Sequence, residues 1–450
     1  MTNMKMGTRF KKSLIFPLIL YLLCGNISAW SQEINYENLT LDQAITVALQ
    51  NNKTIQSKRL YTEIAKEKEK DVFNERLPEI NFNATYSRLT NIQQYEQGLF
   101  DKPTTYDTYP GMFTTMLDAS IPLYMGGRLK AQEGKSSVET HITELQTKKS
   151  EKDLRLEIIT IFLQIQHYKE QERLIQEKIK EDSANITQVI ALQKNGLVTK
   201  NEVLRANLQK SNHQLILTTV RNDIMIAEHR LLTTLSLPES TVVHINSEDL
   251  EKKYVDNTEA EMDIAKAYLN NEKIAIADDQ IQLLKYDQKI VNSMTRPTLQ
   301  MVGNYNFNNP NYRFFPPEPY FYRIGMIGVS GRYSISNLFK SKQKKQIVAK
   351  QISVGKLNLE DEKQQLNHQI FKAYNKLKEA DEKIRISEEA IDQAKENYQI
   401  VRAKYANQLS LITELMDSDN TYLETQSNLI SNKIDKQLKY YQLQYALGNL

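Results

Sequence analysis

The feature that most constrains this chain is a repeat. Asn195 to Ala206 reads NGLVTKNEVLRA and is the only break between two long amphipathic runs. The pattern returns without a gap at Asn407 to Ser418, NQLSLITELMDS, at a constant offset of 212 residues. Leu197, Glu202, Val203 and Leu204 fall on Leu409, Glu414, Leu415 and Met416. Asn-Gly marks a turn because both residues tolerate positive φ. Matching turns between long helical runs predict two antiparallel helical hairpins in a duplicated chain.

The runs themselves are long. A helical pattern extends from about Arg128 to Lys194, with Leu154, Ile158, Ile161, Phe162 and Ile165 as its stripe and Ile175, Ile179, Ile186 and Ile190 continuing it. At 1.5 Å per residue this is roughly 100 Å of helix, more than a globular core requires. From Glu202 the chain runs back to about Leu235, and LSLPES closes the half. Gly is scarce and Pro is confined to a few places, which favours uninterrupted helices. With 25% charged residues and low mean hydropathy, the composition fits solvated helix faces and not a compact enzyme core. An earlier helix starts in LTLDQAITVALQNN, Leu39 to Asn52, with Thr40 as N-cap and Gln43 as its reciprocal partner. Its stripe is Leu41, Ala44, Ile45, Ala48 and Leu49, and it is expected to run on to just before Pro78.

Then the period changes. Ile80, Phe82, Ala84 and Tyr86 alternate with Asn81, Asn83, Thr85 and Ser87, the signature of a half-apolar strand. A second strand is expected from Phe113 to Tyr124, with Leu117, Ala119, Ile121 and Leu123 on one face and Thr114, Asp118 and Ser120 on the other. The same programme recurs in the second half. A helix is expected over about 259–294. A strand opens at Arg296-Pro297 and carries Leu299, Met301, Tyr305 and Phe307 on one face. A proline-rich loop, another strand over about 321–335, and a helix from about Leu338 to Tyr405 follow, with a return to Leu450. The organisation is thus a leader over 1–31, a first repeat over 32–241, a connector over 242–258 and a second repeat over 259–450.

The leader reads as a secretory signal peptide. Lys5, Arg9, Lys11 and Lys12 form a basic start, Leu14 to Leu23 an apolar run too short for a typical span, and Ala29 and Ser31 the small residues of a cleavage site. Cys24 raises a lipid anchor, for which Leu23 is a poor neighbour. Without the leader, 54 basic residues of the original 58 face 55 acidic ones, so nothing favours nucleic acid. The only Cys leaves with it, and with it any disulfide or thiol chemistry. His141, His167, His213, His229, His244 and His368 are scattered without metal-ligand spacing and read as structural or solvated. Asp417-Ser418-Asp419 lacks the rest of a calcium loop, and Phe314 to Pro319 reads as a stiff surface loop. No nucleophile elbow, phosphate loop or dinucleotide fingerprint is present, so neither an enzyme nor a cofactor is expected.

Each strand is about ten residues long, enough to cross a bilayer when tilted. A β-structure crosses lipid only when closed, and four strands cannot close alone. Either several chains share one barrel, or the strands form a soluble sheet. Tyr86, Tyr95, Phe113, Tyr305, Phe307, Tyr320 and Tyr322 crowd the strand ends, as an interfacial girdle would and as strand preference alone would.

The arrangement resembles the TolC-type outer-membrane efflux proteins over nearly all of the mature chain. The resemblance rests on LTLDQAITVALQNN, on LPEINFNATY and RPTLQMVGNY at the strand starts, on SIPLYMGGR, on the paired tips and on YQLQYALGNL at the C-terminus. It implies a mainly α chain with a small β part. Three copies would form a twelve-stranded outer-membrane barrel, continued by a helical barrel in the periplasm. It implies an inner-membrane transporter and a periplasmic adaptor as partners. It places the closed entrance at Glu202, Tyr405, Glu414 and Asp417, and adaptor docking at Gly196, Leu197, Gln408 and Leu409. Ser410 stands where the family has a constriction arginine, and Gln408 where it has a tip glycine. The acids have a blander reading too, as favourable partners of helix starts. In a symmetric trimer each would become a ring of three, able to bind cations. The competing reading is a secreted periplasmic coiled-coil scaffold with a soluble sheet.

Overall fold

The computed structural model describes residues 38–246, 264–311, 313 and 318–450. The leader with Cys24, most of the connector, the start of the helix expected at 259, and Phe314 to Pro317 lie outside them.

The first helix begins as its sequence dictates. Thr40 Oγ1 accepts from the Gln43 amide at 3.3 Å, and Gln43 Oε1 accepts from the Thr40 amide at 3.1 Å, a complete capping box. The single helix expected up to Pro78 is two. α1 (Leu41–Asn51) ends at Asn52, whose extended backbone breaks the run. The Asn52 side chain then caps α2 (Lys53–Asn74) by accepting from the amides of Thr54 and Ile55. The same correction applies to the second half. α5 (Ile264–Asn270) and α6 (Glu272–Ser293) are divided by Asn271, which accepts from the amides of Lys273 and Ile274. In each case an Asn side chain offers the backbone a better partner than helix continuation would.

The strands pair antiparallel. β1 (Glu79–Arg88), β4 (Gly111–Met125), β5 (Thr298–Asn309) and β6 (Tyr322–Arg332) form one sheet in the order β1-β4-β5-β6. The register sets Phe82 opposite Leu117, Leu117 opposite Tyr305, and Tyr305 opposite Gly325. One residue away, Asn81 faces Asp118 and Asp118 faces Asn304. The period-two alternation therefore becomes one apolar and one amide-rich face. The apolar face is uncovered in the chain, with Phe82 and Tyr86 about 70% exposed. The outer loop holds a short hairpin, β2 (Ile92–Gln94) with β3 (Thr104–Tyr106), too brief for its alternation to stand out in the sequence.

The long helices form two hairpins. α3 (Arg128–Lys194) and α4 (Lys200–Leu235) make the first, and α7 (Ser336–Ala406) and α8 (Ile412–Ala446) the second. Gly126 and Gly127 turn the chain from β4 into α3 at φ of +66° and +88°. Toward the sheet α3 packs on α2 and α6, and toward the tips on α4 and α8. Gly134 permits the upper contact, because a Cβ there would meet Tyr286 Cε1 at 2.4 Å.

The core sits at mid-length. Phe162, Ile158, Ile161 and Ile165 of α3 bury against α1, Leu231 and Leu235 of α4, and Val243 and Ile245. A parallel bridge ties Leu39 to Ile245 there. The second half has a smaller counterpart around Ala267, Ile370, Leu377 and Leu443.

Candidate functional site

Both tips are the same helix-ending motif. At the first, Gly196 sits at φ +69°, its amide donates to Gln193 O, and the Leu197 amide donates to Leu192 O. At the second, Gln408 sits at φ +60°, its amide donates to Tyr405 O, and the Leu409 amide donates to Lys404 O. This pair of bonds is the Schellman ending, which wants a left-handed residue after the cap. Gln408 takes that conformation despite its Cβ, at a cost glycine would not carry. The turns leave Leu197 and Leu409 exposed, at 51% and 77%.

The return helices start with the aligned acids. Glu202 and Glu414 stand in the first turns of α4 and α8, where a negative charge meets unpaired amides. Their other contacts differ. Tyr405 Oη donates to Glu202 Oε2 at 3.0 Å, joining the end of the second hairpin's outgoing helix to the start of the first hairpin's return. Burial, the bond to Glu202 and its charge push the Tyr405 phenol up to about 12, so it stays a donor. Ser410 Oγ instead donates to Glu414 in its own hairpin. Asp417 is exposed on α8.

Above Tyr405, a cavity of about 270 Å3 opens between the hairpins, lined among others by Asp182, Gln209, Tyr398, Arg402, Met416 and Asp419. Its roof is a polar cluster that sequence reading missed. The buried Lys178 ammonium donates to the buried Asp419 carboxylate, and Gln209 Nε2 donates to the other Asp419 oxygen at 2.9 Å. Buried His213 meets Asp182 at 2.6 Å through Nδ1. Here the buried line of α3 runs through Ile175, Lys178, Asp182 and Val189, whereas Ile179, Ile186 and Ile190 are only partly covered. The available signal was spacing: Lys178 with Asp182, and Gln209 with His213, each lie one i, i+4 step apart on one helix face.

Solved structures share this architecture. Over 92% of this chain and 93% of the other, it superposes on the channel CusC with a TM-score of 0.76 at 16% identity. VceC from Vibrio cholerae matches over 91% of this chain and 96% of its own, with TM-score 0.73 and 14% identity. MtrE from Neisseria gonorrhoeae, solved in an open state, matches over 91% and 88%, with TM-score 0.73 and 15% identity. No curated relative matches in sequence. Residues 44–236 match the family described as outer membrane efflux protein. That match spans less than half of the chain, which over those residues is similar to the outer membrane efflux proteins and over nearly its whole length shares the fold of these channels. Among the described residues, no helix is long and apolar enough to cross a membrane.

Proposed function

We propose that three copies of this chain form a passive exit duct. The observation that carries this reading is the four-stranded sheet with an uncovered apolar face and two unpaired edges, β1 and β6. Unpaired edge groups in lipid cost several kcal/mol each, so the sheet needs copies of itself to close. The family resemblance implies three copies, which would give twelve strands. The helical edges fit the same assembly. α4 exposes Leu204, Leu208, Leu215 and Met225, and α7 exposes Ile347, Val354, Leu357, Ile386 and Ile400. Apolar surface of this extent on separate edges is what subunit contacts bury.

In this reading the amide face around Asn81, Asn83 and Asp118 lines water, and the tips close the periplasmic end. Tyr405 bonded to Glu202 holds the hairpins together there, with Glu414 and Asp417 as acid rings and Ser410 fixing Glu414 in place of an arginine. The exposed tip residues Gly196, Leu197, Gln408 and Leu409 meet a periplasmic adaptor that links the duct to an inner-membrane transporter. The duct supplies a path, and choice of cargo lies with the transporter.

Cross-linking in detergent should give a trimer that migrates differently when heated, in the outer-membrane fraction. Cysteines at Asp118 and Ser120 should react with small polar thiol reagents, and cysteines at Leu117 and Ala119 should be shielded by lipid. A stable monomer with full β-content would overturn the reading.

A further inference from the structure

We infer that the buried cluster of Lys178, Asp419, Gln209, Asp182 and His213 is a second closure of the entrance, separate from the tips and released when the hairpins part. The inference rests on the exit-duct reading. Three helices supply the cluster: Lys178 and Asp182 come from α3, Gln209 and His213 from α4, and Asp419 from α8. Only Asp419 belongs to the second hairpin. It receives both Lys178 from the outgoing helix and Gln209 from the return helix of the first. A single side chain thus bolts one hairpin to both helices of the other.

The surroundings strengthen the bolt. Lys178 also reaches Glu181 at 2.9 Å, and its ammonium lies 5.3 Å from the Tyr398 ring centre on α7. Tyr398 in turn stacks on Tyr422 of α8 at 5.8 Å. Burial works against the Lys178 charge, but Asp419 and Glu181 outweigh it and raise the ammonium above its ordinary range. Burial raises the Asp419 carboxyl as well, and Lys178 opposes that rise, so the pair is ionic by its direct contact. Its members are each about 5% exposed or less, whereas the Tyr405 contact at the tip is only half-buried. The 270 Å3 cavity lies between the two contacts, lined by Tyr405 on one side and Asp419 on the other. A polar cavity of that size accommodates several waters, which makes the two contacts distinct layers.

The direction of the effect follows from where the charges go. In the closed entrance Lys178 has lost its water and depends on Asp419. If the hairpins separate at this height, both charges regain water. Removing one partner therefore raises the closed state and leaves the open one nearly untouched. If the hairpins stay together at this height and part only at the tips, both states suffer alike and gating does not change.

Single-channel recording of the full-length trimer in a planar bilayer separates these cases. Asp419→Asn should raise the open fraction roughly tenfold or more, and should add to Tyr405→Phe because the layers are distinct. Trimers of Asp419→Asn that assemble and gate as wild type overturn the second closure. If that variant fails to assemble, Gln209→Leu takes its place, since it keeps both charges and removes one donor. A raised open fraction supports the inference, and an unchanged one overturns it. Wild-type protein that forms no pore would instead sink the exit-duct reading.

Discussion

The tip bond between Tyr405 and Glu202 invites a double-mutant cycle. Tyr405→Phe removes the donor and Glu202→Gln removes the charge of the acceptor. A hydrogen bond to a charged group contributes about 1.5–3 kcal/mol, and this one, at 3.0 Å and half-buried, belongs at the low end. One copy opening alone would shift its closed-to-open ratio about tenfold at ~1.5 kcal/mol. Three copies opening together would sum to ~4.5 kcal/mol, on the order of a thousandfold. The assay is single-channel conductance, with trimer melting as the stability control. If the two residues act through one bond, each single variant should open the entrance about as far as the pair. Ser410→Ala is the internal control. The Ser410 hydroxyl serves Glu414 within one hairpin, so its loss should leave the open fraction near wild type. Fully additive single effects, or unchanged conductance at unchanged trimer stability, would refute the reasoning and place the closure elsewhere.

Three further outcomes are expected. The Tyr405 phenol is raised from 10.0 to about 12 in the closed contact, so its contribution is complete below about pH 10 and lost as pH rises toward 12; the open fraction should climb over that window and stay flat in Tyr405→Phe. Phe162→Ala empties a fully buried site in the mid-length core and should lower stability by about 3–5 kcal/mol, read as earlier thermal dissociation of the trimer with gating unchanged. Gly134→Ala drives a methyl onto the Tyr286 ring and should destabilise the trimer, whereas adding Tyr286→Ala should relieve the clash, as thermal melting of the single and double variants would register.

The elements were legible where one physical period runs long. α3 spans Arg128–Lys194, the bounds its pattern implied, because sixty-seven residues of helix average out local exceptions. β1 was legible because its alternation runs unbroken from Ile80 to Ser87, whereas β6 alternates less cleanly. The breaks at Asn52 and Asn271 were missed, although Asn-Asn-Lys-Thr-Ile at 51–55 and Asn-Asn-Glu-Lys-Ile at 270–274 repeat one capping pattern. Apolar stripes alone hid them, since the stripe continues across the turn. At the site, the Tyr405 to Glu202 contact could be expected only through the family resemblance, which brings the two hairpin ends together. The partner of Ser410 could not, because a residue's departure from a family pattern does not say where its hydroxyl turns. The Lys178 to Asp419 pair was hidden for a different reason. Charged residues in a helix usually mark a solvated face, and only the meeting of three helices makes this one internal.

The two kinds of contact divide the labour along the helices. Near mid-length Phe162, Ile165, Leu231 and Leu235 of the first hairpin form an apolar core, and Ile434, Leu438 and Tyr441 of α8 join the second hairpin to it. Such contacts are non-directional and weaken gradually with displacement. Toward the tips the buried line of α3 turns ionic, and the hairpins are joined by a few bonds of fixed geometry. Those bonds weaken steeply once a donor leaves its acceptor, and an unmet buried charge is costly. The tip end is therefore suited to two discrete arrangements, bonded or hydrated, while the apolar middle stays whole. Local opening draws on the parts of a structure with the fewest apolar contacts. On that ground the moving boundary in this chain lies between Val189 and Ile165 on α3, with Lys178 at its centre. In the exit-duct reading the ionic bolt opens after the tips, and the Gln171 to Ser427 contact at 3.4 Å lies between it and the apolar core.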